Sequence, residues 1–271
     1  RYIGYEGMMH IRQGKSSDQL ITAQTFIQVK VDDQKDQYIY DKPIILNPLY
    51  NKPFDQKFDF KEKKVEIKSL GYYKSGEVFA TDQQADGVDI LELVTSDGNG
   101  RNTRFLKKGE TIFIGQTPFS FDAAEASHLG FIINESDSGL VFKTVFPVKY
   151  MSMDDRSTGQ LSGDTSHYFK NRHLYTVGGI NLVLKNHHKK GVLDVRPGKK
   201  ETPVDIIKLE ASVDGEKTIV LVKGGKGFIT PPKIFPLGGL NFRLGFGSKS
   251  ITIPFSIYLD KFELERYPGS S

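Results

Sequence analysis

"LEASVDGEKTIVLV", residues 209–222, decides the fold class of this chain. Ile207, Leu209, Ala211 and Val213 alternate with Lys208, Glu210 and Ser212, and a second apolar run follows Asp214-Gly215. A period of two belongs to a strand with one buried face. Asp-Gly between two such runs is the strongest short-range hairpin signal, because both turn residues must take a positive φ. The pattern recurs along the chain. Ile180, Leu182 and Leu184 alternate with Asn181 and Val183, and Phe242, Leu244 and Phe246 alternate with Arg243 and Gly245. Asp97-Gly98-Asn99-Gly100 and Gly247-Ser248-Lys249-Ser250 read as further connections. Helix signals are few. Asp122-Ala123-Ala124-Glu125 has the form of a capping box and predicts one or two turns to Ser127. The polar stretch 154–170 predicts a loop with a short helix. The expected fold is all-β: a large antiparallel β-sandwich or irregular barrel with one or two short helices. It is expected as a single domain over 1–271, with room for two sub-sheets. Its only plausible seams are the proline-rich stretches 43–53 and 231–236.

Composition supports a packed core. Of 271 residues, 38% are hydrophobic and 26% charged, a globular balance. Nineteen Phe and 12 Tyr supply large apolar surface that suits strands. The formal net charge of +4 argues only weakly for a polyanionic partner. Cysteine is absent, which excludes disulfides and thiolate metal sites. No window approaches the ~18 apolar residues of a membrane span. Residue 1 is Arg, so the chain reads as processed or excised from something longer.

Chemical motifs are sparse. Gly14-Lys15-Ser16 resembles the tail of a phosphate loop, but position 9 is Met where that loop needs Gly. Residues 97–102 resemble a calcium loop, but Arg101 occupies a ligand slot. None of His10, His128, His167, His173, His187 and His188 has the spacing of a zinc helix, so no metal site is predicted. They read as exposed loop histidines, and His187 and His188 would point to opposite faces if they lay on a strand. Met8-Met9-His10 holds two haem-ligand types, but neighbouring residues cannot reach both sides of an iron. The most basic stretch, 186–200, carries Lys189, Lys190, Arg196, Lys199 and Lys200. It lacks interleaved aromatics, so nucleic acid is not expected as a partner. Read as a solvated loop, it is a candidate contact patch for anionic lipid or an acidic partner. There is no G-x-S-x-G elbow and no predicted catalytic residue.

The two ends say more. The opening stretch carries Arg1, Gly4, Glu6-Gly7, His10, Arg12 and Gly14. The closing stretch carries Gly247-Ser248, Pro254-Phe255, Leu259, Phe262, Glu265 and Tyr267-Pro268-Gly269. Together these borders resemble the ResB family, also called CcsB, of System II cytochrome c biogenesis. The resemblance covers about 45 of the 271 residues, the middle offering only its β-rich character.

The resemblance implies an extracytoplasmic or periplasmic domain, looped out between membrane spans and anchored by them. It implies a CcsA-like haem-handling membrane partner and apocytochrome c as a second partner. In that family the haem-handling histidines lie in the spans and in the CcsA part. No haem ligand is therefore carried onto this chain, and the domain is expected to have no cofactor of its own. Its role would be to scaffold or present apocytochrome near the haem exit, within a haem–cytochrome c synthase complex but not catalytic alone. If both ends meet the membrane, the opening and closing motifs should lie on one side of the fold and could share a sheet. Glu6, His10, Arg12, Glu265 and Tyr267 would then mark a membrane-proximal or partner surface. A regular closing strand would put Phe255, Ile257 and Leu259 on one face, with a bulge near Asp260-Lys261 returning Phe262 and Leu264 to it. Two other readings stay open: an envelope β-sandwich that binds carbohydrate or another ligand, and an unrecognised hydrolase.

Overall fold

A computed structural model describes residues 6–47, 50–51, 54–96, 100–199, 201–202, 204–227 and 229–263. The chain divides into two compact units, residues 1–78 with 195–271 and residues 79–194. The second is thus an insertion in the first along the sequence. Neither boundary falls at the proline-rich stretches 43–53 or 231–236.

All regular structure among the described residues is strand. The chain begins with β1 (Gly7–Met8), β2 (Lys15–Thr22), β3 (Phe26–Asp32) and β4 (Gln37–Pro43). It continues through β5 (Leu46–Asn47), β6 (Tyr50–Asn51), β7 (Asp55–Phe60), β8 (Lys63–Tyr73) and β9 (Glu77–Thr81). Then come β10 (Val88–Ser96), β11 (Arg101–Lys107), β12 (Thr111–Ile114), β13 (Thr117–Phe121) and β14 (Phe131–Ser136). They are followed by β15 (Gly139–Lys143), β16 (Val148–Ser152), β17 (Thr158–Leu161) and β18 (His167–Tyr168). Next are β19 (His173–Val177), β20 (Ile180–Arg196), β21 (Asp205–Val213) and β22 (Glu216–Gly224). The last three are β23 (Lys233–Leu237), β24 (Leu240–Gly247) and β25 (Ser250–Leu259).

The first unit contains a sandwich of two four-stranded antiparallel sheets, ordered β22-β21-β8-β7 and β23-β24-β3-β4. The quoted hairpin is β21–β22. Val213 pairs with Glu216 across Asp214 and Gly215, whose φ angles of 50° and 92° are those a two-residue primed turn requires. Its inner face, Ile207, Leu209, Ala211, Val213, Val220 and Val222, packs with Val65 and Ile67 of β8. Ile27, Val29, Val31, Phe242, Leu244 and Phe246 face them from the other sheet. Each large side chain fully removed from water contributes on the order of 1.5–3 kcal/mol, so the alternation itself supplies the core. A third sheet, β1-β2-β25, joins the opening and closing segments, and β5–β6 form a two-stranded ribbon.

The second unit pairs a seven-stranded sheet, β11-β10-β20-β19-β16-β17 with β9 also on β20, and a five-stranded sheet, β12-β13-β14-β15-β18. Its core is more aromatic. Phe119, Phe131, Phe142, Phe169 and Tyr175 stack and cross edges with centroids 4.5–5.8 Å apart. Leu91, Leu93, Leu182 and Leu184 close it from the larger sheet.

Three expectations need correction. No helix forms at 122–127 or in 154–170. Asp122 instead takes φ 42° at the end of β13, its amide donating to Ile133 and its carboxylate accepting from the Glu135 amide. Local bonding of this kind competes with helix formation. Residues 154–170 hold β17, β18 and turns. Pairing is also not antiparallel throughout. β13 and β14 run parallel, and the nine residues of 122–130 carry the chain back between them.

Candidate functional site

The opening and closing segments meet in the β1-β2-β25 sheet. Gly7 and Met8 pair with Thr22 and Ile21, and Lys15 to Ser17 pair with Leu259 to Ile257. Residues of the two end motifs form this junction. A Cβ on Gly7 would lie 2.2 Å from the Ile21 carbonyl oxygen, so only glycine admits this approach. The Gly14 amide donates to the Leu259 carbonyl at 2.7 Å, with Gly14 at φ 72°. Ser248 is buried; its hydroxyl donates to the Thr22 carbonyl at 2.7 Å and accepts from the Gly227 amide at 2.9 Å. The expected shared sheet is thus present over 7–22 and 250–259.

β25 is not a regular strand. Between the pairs Ser17–Ile257 and Gln19–Thr252, residues 253–256 face Asp18 alone. Pro254, lacking an amide hydrogen, cannot donate to a ladder, and the excursion falls around it. The irregularity therefore comes before the position near Asp260-Lys261 where a bulge was expected. Residues 254–258 are all exposed, and neighbours on a strand point to opposite sides, so neither face is covered there. Phe255, Tyr258 and Phe262 are 59–67% exposed, with Ile257 and Met8 also open to solvent. Leu259 is half-buried. Glu6, His10 and Arg12 are exposed beside this sheet's strands. Glu265 and Tyr267 lie outside the described residues, as does Leu264.

The basic stretch behaves differently from a loop. It continues β20, the longest strand, which pairs with β10 through two bulges. Leu93 opposes Leu184 but Glu92 opposes Asn186, so Lys185 is an extra residue and the side-chain alternation reverses beyond it. Ile180, Leu182 and Leu184 face the aromatic core, and after the reversal so does His187, edge-on to the Phe121 ring at 5.8 Å. The second bulge places Lys189 and Lys190 opposite Asp89, with Lys190 at φ 47°.

Two polar networks result, one on each side of β20. On one side Glu92 is buried and accepts from Lys185 at 2.6 Å and Asn186 at 2.8 Å. His188, also buried, stands with one ring nitrogen 3.3 Å from Glu92 and the other 2.9 Å from Asp82. Burial pushes the Glu92 pKa up, but the bonds from Lys185, Asn186 and His188 outweigh it and hold the carboxyl below its usual range.

On the other side Lys189 bridges Asp89, at 3.1 Å, and Glu135. Lys108 reaches Glu135 at 3.0 Å and Asp122 at 3.2 Å. The Lys189 and Lys108 ammonium groups lower the Glu135 pKa. Burial raises that of Asp89, but the Lys190 amide and the Lys189 ammonium bring it down overall. Burial first, then the Lys189 charge, pushes the His187 pKa down. The His187 Nε2 is shielded from solvent and has no hydrogen-bond partner among the described residues; Asp89 Oδ2 lies 3.7 Å away.

The structure thus separates the predicted contact patch. Lys189 is tied into carboxylates, Arg196 reaches Glu77 at 3.3 Å, and Lys190 and Lys199 are exposed. Lys200 lies outside the described residues. His187 and His188 are held in a sheet and are not loop histidines. Their partners Asp82, Asp89, Glu92 and Glu135 are 52–106 positions away in sequence. The only legible signal was the adjacency of the two histidines, which put them on opposite faces of any strand.

A surface groove of about 950 Å³ opens in the second unit beside β12, β13 and the 122–130 connection. Phe113, Leu129 and Phe146 stand exposed in it, with Gln116 and Glu125 as polar neighbours. No protein-family model matches this chain, and no curated protein does.

Proposed function

We propose that this chain is the extracytoplasmic part of a ResB-type cytochrome c biogenesis system. In this reading it scaffolds or presents apocytochrome c near the point where haem emerges. It is held at the membrane by the rest of its protein and works with a CcsA-like haem-handling partner. The full complex handles the haem, and the domain contributes no ligand. One observation supports this above others: the two segments that carry the resemblance fold into one sheet. That sheet exposes Met8, Phe255, Ile257 and Tyr258, and Phe262, just beyond the end of β25, is exposed as well. Apolar side chains gathered on an exposed sheet fit a contact with membrane or partner. The glycines and Ser248 build the sheet, which leaves Glu6, His10, Arg12 and Phe262 for contact.

The test is maturation in cells. Alanine at Glu6, His10, Arg12, Glu265 and Tyr267, and serine at Phe255 and Phe262, are expected to lower haem-stained c-type cytochrome while the protein still accumulates. Undiminished cytochrome in all of these variants overturns the proposal.

The groove favours a second reading, an envelope sandwich that binds carbohydrate or another small ligand. Exposed aromatic rings such as Phe113 and Phe146 are the surfaces on which sugar rings stack. A glycan array with Phe113→Ala as control decides it: binding lost in that variant supports the reading, and no binding removes it.

A further inference from the structure

We propose that Asp89, Glu135 and His187 form a site for a divalent transition-metal ion, zinc first, which takes the place of the Lys189 ammonium between the two carboxylates. The inference is independent of the reading above.

One donor atom from each of the three residues lies within 4.8 Å of the others. Zinc binds nitrogen and carboxylate oxygen at about 2.0–2.2 Å, so gathering them needs side-chain movements of about an ångström. A mixed nitrogen–oxygen set suits first-row transition metals, whereas calcium and magnesium take oxygen alone. Three protein ligands leave a fourth position open to water.

Two observations set this cluster apart from an ordinary surface ion pair. The His187 Nε2 is shielded from solvent and has no hydrogen-bond partner among the described residues, which is costly for a polar atom, and coordination would satisfy it. Lys189 also already puts a positive charge against both carboxylates. Its side chain is half exposed, so it can swing to solvent when an ion enters. Asp89 stands on β10, His187 on β20 and Glu135 on β14. The first two strands belong to the seven-stranded sheet and the third to the five-stranded sheet. A metal here would tie the two sheets of the second unit together, as a structural brace.

The 271-residue protein would be titrated with Zn²⁺ against a chromophoric chelator, with thermal unfolding as a second readout. We expect one zinc per chain and a rise in Tm, since a ligand that binds only the folded state stabilises it. His187→Ala and Glu135→Gln should each lose at least about tenfold in affinity. Should one variant fail to fold, the other carries the test. Lys189→Met removes the competing cation and should bind zinc on the order of tenfold tighter, the effect of two half-exposed ion pairs. A merely structural ion-pair cluster predicts the reverse for Lys189→Met, lower stability with no compensating gain from zinc. Absence of zinc binding in both wild type and Lys189→Met overturns the proposal. So does binding that survives His187→Ala and Glu135→Gln.

Discussion

β25 and β20 reverse the usual relation between residue type and burial. β25 carries Phe255, Ile257 and Tyr258 and leaves them in water. β20 carries histidines and lysines and holds several against the protein: His188 is 8% exposed, and the Glu92 it faces is equally buried. The difference lies in partners. β25 has β2 on one edge and residues 253–256 looped out opposite Asp18, and residues 254–258 are left exposed. β20 lies between β10 and β19 in the larger sheet, and its bulges bring Lys185, His187, His188 and Lys189 against carboxylates. Burial follows what stands opposite, with polarity second.

The largest break in this comparison is Glu92→Ala. It leaves Lys185, Asn186 and His188 without their common acceptor, and removing one member of a buried charge network costs about 3 kcal/mol. Denaturant unfolding by far-UV circular dichroism should show that loss. An unchanged midpoint would mean the network adds nothing.

Acid reads the same network. The Glu92 pKa is depressed in the fold below the ordinary 4.5, so the stability it confers is fully present above that value. It is lost as pH falls through the folded pKa. Stability against pH below 4.5 should therefore be flatter in Glu92→Gln than in wild type, and equal slopes would remove Glu92 from the acid response.

Next comes Ser248→Ala, expected to cost about 1–2 kcal/mol. It strands the Thr22 carbonyl and the Gly227 amide, both bonded to this buried hydroxyl. Amide exchange in β1 and β2 should quicken. By contrast, serine at Phe255, Ile257 and Phe262 should each change stability by less than about 0.5 kcal/mol, because exposed side chains contribute little packing. The same three changes together should weaken co-sedimentation with anionic liposomes; a stability loss of core size would show that the face is covered. The smallest effect is Lys190→Gly. Glycine relieves the positive φ but adds chain entropy to the unfolded state, so a change within about 0.5 kcal/mol is expected.

Much of the architecture was readable before the structure. Residues 209–222 are a hairpin because side-chain period and turn chemistry are both local properties, and each points to the same pairing. The junction of the two ends was foreseen only through the ResB resemblance. The helix at 122–127 was misread because a capping box also serves as a strand terminus when the Asp122 carboxylate finds the Glu135 amide. The polar side of β20 was unreadable for a related reason. A run such as His187-His188-Lys189-Lys190 has no apolar period, so it looks like loop.

By itself, then, the sequence determined the all-β class, the primed turn at Asp214-Gly215 and the alternating cores, because these depend on neighbours two residues apart or fewer. Only the tertiary structure decided that the chain forms two units, that β13 and β14 run parallel, and that His187 meets Asp89 and Glu135. Each of these rests on contacts between distant segments. At Lys185 a single extra residue reverses which face the side chains take as far as the second bulge, and no local pattern records on which strand that residue is inserted.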